Sequence, residues 1–548
     1  MHVQPSSRAE TFLNHYDHVI VGAGSAGCVL AHRLSADPGR RVLLLEAGPS
    51  DWNPLIHMPA GLARLVNQRS VNWDYHTEPE PALRQRRLWW PRGKTLGGSS
   101  SINAMCYIRG VAGDYDRWAQ ACGDPRWSWR QVLPWFIHAE DNSRGASALH
   151  GRGGPLGVSD LRHRNPLSDA LIEAAGSAGF ARNDDFNGES QAGFGLYQVT
   201  QRNGARCSAA TAYLAPARGR DNLTVRTGVL VERVLFDGSR AVGVQLRRGR
   251  RGSERIEAGE VLLAGGAVNT PQLLMLSGLG PADHLRQHGL PVVADLGGVG
   301  ENLQDHLDIC TLIGTERKKL TYDHLNELTT ALRWLRHRDG PGSSNIAEAG
   351  GFVRSTLAED ERCDLQFHFV PALLDDHGRH RLPGDGYTLH ACCLHPKSRG
   401  RLRLRCADPT RPIAIHAGYL SDTEGHDMRR MIAAARLSRE ILAQPAFDAF
   451  RGKPVFPERE LDSDADYADF IRRKAETIYH PVGTCRMGND ERAVVDSELR
   501  VRGVHGLRVV DASVMPGLPS GNTNAPTMMI AERASALILG AGERPPDR

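Results

Sequence analysis

The 548-residue chain has no C-x-x-C pair, no apolar run clean enough to cross a bilayer, and almost no excess of one charge. Its ten cysteines are scattered, and the neighbours Cys392-Cys393 cannot easily bridge each other, so neither a disulfide framework nor a metal site is expected. Free thiols point to a reducing compartment. Long apolar stretches such as Val261 to Leu279 are broken by Asn269, Pro271 and Gln272, which argues against a transmembrane segment. The opening residues, Met1 to Glu10, lack the apolar core of a signal peptide. A cytoplasmic protein is expected, with peripheral contact at the inner face of a membrane left open. With 67 basic and 63 acidic residues the formal charge is only +4. The one dense basic run, Arg247-Arg248-Gly249-Arg250-Arg251-Gly252, falls where a hairpin turn would sit, so no nucleic-acid partner is expected.

What is present is an ordinary globular composition, 41% hydrophobic and 24% charged, in a chain too long for one simple core. The most informative stretch lies near the start. An apolar run, Tyr16 to Val21, enters Gly22-Ala23-Gly24-Ser25-Ala26-Gly27 and leaves through Cys28 to Leu34, whose apolar residues recur at helical intervals. This predicts a strand, a tight turn and a helix whose N-terminal dipole faces a pyrophosphate. Gly22 permits the turn, Gly24 lets backbone N–H groups approach the phosphates, and Gly27 lets the helix pack on the strand. A second strand, Arg41 to Glu46, ends in a carboxylate 19 residues past Gly27, close to the offset of about 20 expected for a ribose-binding acid. A carboxylate there repels a 2′-phosphate and argues against NADP. The turn alone leaves NAD and FAD open.

Further along, Gly93 to Met105 holds a run of small residues flanked by apolar ones, which fits a buried loop on which a flat ring can lie. Trp118, Trp127, Trp129, Trp135 and Phe136 follow a helix-like pattern and read as core packing. Asn222–Val234 and Ala241–Leu246 read as strands with an Asp237-Gly238 hairpin signal, Glu260 to Gly266 as a strand, and Thr270–Leu276 as a helix. Between residues 311 and 470 alternating apolar patterns at Leu365–Val370, Tyr387–Leu394 and Arg401–Leu404 predict antiparallel strands, with a helix over Asp427–Leu442. A last strand, Leu507–Asp511, precedes a helix from about Thr527 to Leu539, and Gly542–Arg548 reads as a frayed tail.

Four stretches together resemble the glucose-methanol-choline (GMC) oxidoreductases, a family of FAD-dependent alcohol oxidoreductases. They are the glycine turn with Glu46-Ala47-Gly48, the loop Gly93 to Asn103, the segment Gly266 to Gly280, and a C-terminal set. That set comprises His480-Pro481-Val482-Gly483-Thr484-Cys485-Arg486-Met487-Gly488, Asp511-Ala512-Ser513-Val514-Met515-Pro516 and Gly521-Asn522-Thr523-Asn524-Ala525-Pro526-Thr527. The resemblance runs from about residue 16 to 540, and is strongest to the branch of choline dehydrogenases and bacterial alcohol dehydrogenases. It implies an α/β fold: a Rossmann-like FAD-binding domain with a parallel sheet, and an inserted α+β substrate domain with an antiparallel sheet. The expected division is 1–150, 201–310 and 471–548 for FAD, and 151–200 and 311–470 for the substrate.

By similarity, Gly22, Gly24, Ser25, Gly27, Glu46 and Ala47 would hold the ADP half of FAD, and Val231 would meet the adenine through its backbone. Asp511 and Ala512 would face the ribityl and pyrophosphate, with Gly98 and Asn103 beside the isoalloxazine. Relatives that attach FAD covalently use a histidine where Ile102 stands, so the resemblance implies non-covalent FAD. Removing a proton and a hydride from one carbon needs a base active near neutral pH, a role suited to imidazole, and His480 is the expected base. Asn524 is expected to pair with it and donate to the substrate oxygen, with Asn522 as competitor. Cys485, in the same motif, reads as a small buried residue.

Glu348 resembles a family glutamate near the substrate, and Tyr479 could form one wall of a cage for a quaternary ammonium ion. The entrance-like segment Pro54–Val66 has no aromatic residue and carries Arg64. A neutral primary alcohol, aliphatic or benzylic, is therefore the expected substrate, with choline second. The expected electron acceptor is a quinone or similar carrier, with an O2-using oxidase as the alternative. A flavin-containing lyase or photodecarboxylase is the reading from another class.

Overall fold

The computed structural model describes residues 15–247, 252–380, 382–541 and 545. The segment Met1–Glu10 lies outside these residues, as do most of the basic run before Gly252 and most of the tail. In chain order, β1 (His15–Val21), α1 (Ser25–Leu34) and β2 (Val42–Leu45) come first. They are followed by β3 (Gly193–Leu196), β4 (Leu223–Arg226), β5 (Leu230–Asp237), β6 (Arg240–Arg247), β7 (Ser253–Leu263) and α2 (Gly266–Leu276). Then come β8 (Leu307–Thr315), α3 (Glu327–His337), β9 (Ala349–Val353), β10 (Leu365–Val370) and β11 (Asp385–Cys393). The chain closes with α4 (His426–Leu442), β12 (Pro454–Phe456), β13 (Glu476–Thr477), β14 (Leu507–Val509) and α5 (Asn524–Leu539).

Two seven-stranded sheets organise the molecule. The first runs β4-β2-β1-β7-β6-β5, with β14 added on β7. Its centre is parallel, with Val19 beside both Val261 and Leu43, while β5, β6 and β7 form an antiparallel meander. All four residues of β2 are buried, the continuous apolar run that a parallel strand covered on both faces requires. Each fully buried leucine there contributes about 1.5–3 kcal/mol relative to exposure. Helix α5 packs on α1, and the buried Glu532 of α5 takes both Arg33 Nε at 2.7 Å and Tyr213 OH at 2.9 Å. These contacts tie the end of the chain to its first helix.

The second sheet runs β12-β8-β11-β10-β9-β3, with β13 on β8, and every pair is antiparallel. Helix α4 lies on one face through Met431, Ala434, Ala435 and Ser438. In the register, His368 stands opposite His390, and His390 opposite Cys310. Cross-strand neighbours point to the same side of a sheet. The polar side chains of this row therefore sit together at the cavity described below.

Three local expectations change. The stretch Asn222–Val234 is two strands: β4 pairs parallel with β2, the chain turns at Gly228 (φ +69°), and β5 pairs antiparallel with β6. Helix α2 begins at Gly266, not Thr270, because the Asp511 carboxylate caps its first turn. Helix α5 begins at Asn524, which draws that side chain into the first helical turn.

Candidate active site

The cavity begins where β1 gives way to α1. Gly27 is required for packing: a Cβ there would fall 1.8 Å from the Gly22 carbonyl oxygen, so the helix can lie this close only without a side chain. Gly22, Gly24 and Ser25 face a cavity of about 920 Å³, as do Glu46, Ala47 and Val231. The Glu46 carboxylate accepts from Ala23 N at 3.0 Å and Gly48 N at 2.7 Å, bracing the glycine turn against the loop after β2. Burial pushes this carboxyl up to about 7, against the lowering effect of those two N–H groups. Asp511 and Ala512 also line the cavity. The Asp511 carboxylate is occupied by Gly266 N at 2.8 Å and Thr270 Oγ1 at 2.6 Å.

The loop from Gly98 to Asn103 crosses directly over the glycine turn. A Cβ on Gly98 (φ +53°) would lie 2.7 Å from Gly24 Cα. Beneath the loop sits Arg206, a buried guanidinium with no carboxylate partner among the described residues. Its Nη1 donates to the Asn103 carbonyl at 2.6 Å, Asn103 Oδ1 at 2.9 Å and the Ser100 carbonyl at 3.2 Å, and its Nε donates to the Ile56 carbonyl at 2.8 Å. Burial pulls the group down to about 9. Sequence reading passed over Arg206, whose only signal is an arginine bounded by the small residues of Ala205 and Cys207-Ser208-Ala209-Ala210.

The same cavity ends on His480. Its backbone N donates to Asp305 Oδ1 at 2.7 Å, and Asp305 Oδ2 accepts from Thr477 Oγ1 at 2.5 Å, which pins the segment after β13. Tyr479 is held at φ +71°, with its carbonyl accepting from Arg92 Nη2 at 2.7 Å and its hydroxyl bonded to His377. Such left-handed backbone at a bulky residue costs of order 1–3 kcal/mol and orients the residue that follows.

Hydrogen bonding defines the imidazole tautomer. His306 Nε2 faces the Leu394 carbonyl at 3.0 Å and must donate to it, leaving Nδ1 as acceptor in the neutral ring. Burial keeps His306 neutral, pushed down to about 3. His480 Nδ1 lies 3.0 Å from that acceptor and so carries the proton. The lone pair of His480 is on Nε2, where the Asn522 Nδ2 amide approaches to 3.1 Å. Asn522 Oδ1 in turn accepts from Gln366 Nε2 at 3.1 Å. Burial first, then His306, His368 and Arg92, hold His480 well below its ordinary value, so its imidazole is neutral at pH 7.

The structure corrects two sequence expectations. Asn522 is beside His480, whereas Asn524, drawn into α5, accepts from Ser25 Oγ at 2.7 Å. Glu348 does not line the cavity; it is buried and saturated by Asn165 N (2.7 Å), Ser168 Oγ (2.8 Å), Ser344 Oγ (2.6 Å) and the Tyr322 hydroxyl. On the cavity wall, His390 Nδ1 lies 2.6 Å from Asp308 Oδ2. Burial lowers this imidazole, but the Asp308 carboxylate outweighs burial and raises it above its ordinary value.

A glycine turn at one end of a single cavity and an oriented, neutral imidazole at the other define a dinucleotide-dependent oxidoreductase of the α/β class. The chain belongs to the GMC oxidoreductase family, whose N-terminal model matches residues 16–308 and whose C-terminal model matches residues 396–531. It is an oxidoreductase acting on CH–OH groups. It is 50% identical to an alcohol dehydrogenase [acceptor] of Pseudomonas putida over 531 residues, 96% of both chains. It is 46% identical to the mitochondrial choline dehydrogenase of Mus musculus, over 98% of this chain and 92% of that one. The crystal structure of pyridoxine 4-oxidase from Mesorbium loti superposes with a TM-score of 0.88 at 34% identity, over 96% of this chain and 100% of that chain.

Proposed function

We propose that this enzyme oxidises a neutral primary alcohol, aliphatic or benzylic, to the aldehyde, with His480 as base and non-covalently bound FAD. The observation that carries the reading is the His306–His480–Asn522 chain at the end of the cavity that begins at the glycine turn. The cavity fits FAD: Gly24 and Gly98 leave its floor free of side chains, Glu46 stands at the end of β2, and Ile102 supplies no nucleophile for a covalent link. Bound there, FAD supplies the hydride acceptor.

The protein's own residues account for the proton. His480 Nε2 takes it from the substrate hydroxyl, and the Asn522 amide donates to the oxygen as negative charge builds. The imidazolium that results keeps its Nδ1–H on His306. Among the described residues no carboxylate free to meet a quaternary ammonium ion lines this end, since Glu348 is saturated elsewhere and Asp323 is spent on Leu373 N and Gly386 N. On the wall His390 is paired with Asp308 at 2.6 Å, so this stretch carries no net negative charge to draw a quaternary ammonium ion, which supports an uncharged alcohol over choline.

The same reading assigns 1–150, 201–310 and 471–548 to FAD and 151–200 and 311–470 to the substrate. Strand β13, which joins the second sheet, departs from that division. A quinone or similar carrier is the proposed acceptor, supported by the dehydrogenase relatives. Ten unpaired thiols support a cytoplasmic location. No helix among the described residues is long and apolar enough to cross a membrane. Anaerobic mixing with a panel of alcohols tests the whole reading. Neutral primary alcohols should bleach the flavin faster than choline, and bleaching by choline alone, or by nothing, overturns it. Prompt reoxidation in air with peroxide release would replace the quinone by O2.

A further inference from the structure

Among the described residues six large apolar side chains are strongly exposed, and three of them share one helix: Leu328 at 70%, Leu332 at 56% and Leu335 at 57% on α3. Their spacing, i, i+4 and i+7, places them on one stripe of that helix. The opposite side of α3 is anchored by the buried Trp334, whose Nε1 donates to the Gly204 carbonyl at 2.7 Å. Between stripe and anchor, Glu327, Thr330 and Ala331 contribute to the wall of the active-site cavity. The helix is therefore a rim of the cavity that turns a leucine stripe outward.

A second rim faces it. Leu62, Ala63 and Arg64 line the cavity from the short helix Leu62–Leu65, and Arg64 Nε reaches Glu327 Oε1 at 3.0 Å. Trp52, the most exposed large apolar residue described at 82%, lies shortly before this rim in the chain. The charge around α3 is net positive: from Glu316 to Arg338 there are six Lys or Arg residues and three Asp or Glu. Lys318, Lys319 and Arg336 are exposed and form no ion pair with any described residue. Arg336 lies beside the leucine stripe, one position after Leu335. An exposed apolar stripe flanked by unpaired cations suits a surface that is oily inside and anionic at its edge.

We propose that α3 and the adjoining rim form a peripheral docking face for an anionic lipid bilayer. Leu328, Leu332 and Leu335 enter the headgroup region, and Lys318, Lys319 and Arg336 meet lipid phosphates. Docked this way, the cavity mouth opens against the bilayer, so an apolar alcohol or a membrane quinone reaches the site without crossing water. The docking stands on the surface itself. Only the identity of what passes through the mouth rests on the proposed alcohol oxidation.

The test is co-sedimentation of the FAD-loaded enzyme with vesicles of mixed phosphatidylglycerol and phosphatidylcholine, and with vesicles of phosphatidylcholine alone. Wild type should partition to the anionic vesicles and be released by salt. The triple substitution Leu328→Ser, Leu332→Ser and Leu335→Ser should lower partitioning at least tenfold. It should leave flavin reduction by a water-soluble alcohol unchanged, which separates loss of docking from failure of the catalytic reading. Equal partitioning of the triple variant, or no partitioning of wild type, overturns the proposal. So does a wild-type dimer that the triple variant dissolves without change in vesicle binding, which would make α3 a contact between copies of this chain.

Discussion

The Nδ1 atoms of His306 and His480 stand 3.0 Å apart, and a single proton between them decides which nitrogen of His480 keeps its lone pair. His306 cannot be that donor, because its own proton is committed to the Leu394 carbonyl. Replacing it with phenylalanine leaves a buried N–H of His480 without an acceptor, which costs about 1–3 kcal/mol. His306→Phe should slow anaerobic flavin reduction roughly ten- to hundredfold while the bound-flavin spectrum stays intact. Stopped-flow absorbance measures both at once, and a wild-type rate would remove His306 from the orientation of the base.

The two asparagines of the Gly521–Ala525 segment should separate cleanly. Loss of a preorganised donor to a developing oxyanion typically costs about 2.7–4 kcal/mol, so Asn522→Ala should cut flavin reduction by roughly 100- to 1000-fold. Asn524→Ala removes one hydrogen bond to Ser25 Oγ beside the glycine turn and should leave that rate within about fivefold while weakening FAD retention. A larger rate loss at Asn524 than at Asn522 would reverse the assignment.

These asparagines also show how far the sequence could be read. The glycine turn and Glu46 were legible because they form a local pattern: strand, turn, helix and acid follow one another within 31 residues from Tyr16 to Glu46, whereas the His480 segment was marked by its resemblance to the family motif. Which of two asparagines meets His480 was not local. It depends on where α5 begins, and that is decided by packing of α5 on α1 rather than by propensity. Glu348 failed for the same reason: its four partners come from residues 165, 168, 322 and 344, a convergence no spacing announces. His306 and Asp305 left a fainter signal, an acid and an imidazole placed just before the apolar strand β8.

Glu348 should therefore behave as a structural residue. Glu348→Gln replaces acceptors that four donors need, and a loss of about 1–3 kcal/mol of stability is expected. The apparent KM for a neutral alcohol should stay within about twofold. A lowered melting temperature with unchanged KM is the expected pair of results; a tenfold rise in KM without destabilisation would return Glu348 to the substrate site.

Glu476 carries a pH dependence whose sign can be worked out. Burial first, then the neighbouring Asp376 and Asp308, push its carboxyl from 4.5 up to about 8 in the folded protein. Between those values the folded chain holds a proton that the unfolded chain releases. Its ionisation thus lowers stability progressively as pH rises from about 4.5 to 8, at about 1.4 kcal/mol per unit. Glu476→Gln mimics the protonated form and removes this cost. Denaturant unfolding should show little difference from wild type at pH 4.5 and a gain of a few kcal/mol at pH 8. A gain that is the same at both values would refute the coupling.

Arg206 links the loop beneath the proposed flavin to the rest of the chain. A guanidinium buried without a carboxylate is costly, yet burial has pulled it down only to about 9, so it stays charged at pH 7. What offsets the cost is four carbonyl or amide acceptors, three of them in the segment Ser100–Asn103. Arg206→Met keeps much of the volume but strips those acceptors of their donor, so the loop over Gly24 should loosen. FAD should then dissociate at least tenfold more readily, read by fluorescence of released flavin. Arg206→Lys retains the charge but cannot reach the same acceptors from one planar group, so only partial recovery is expected. Full recovery by lysine would mean that charge alone matters, and unchanged FAD retention in Arg206→Met would show that the loop is held by other contacts.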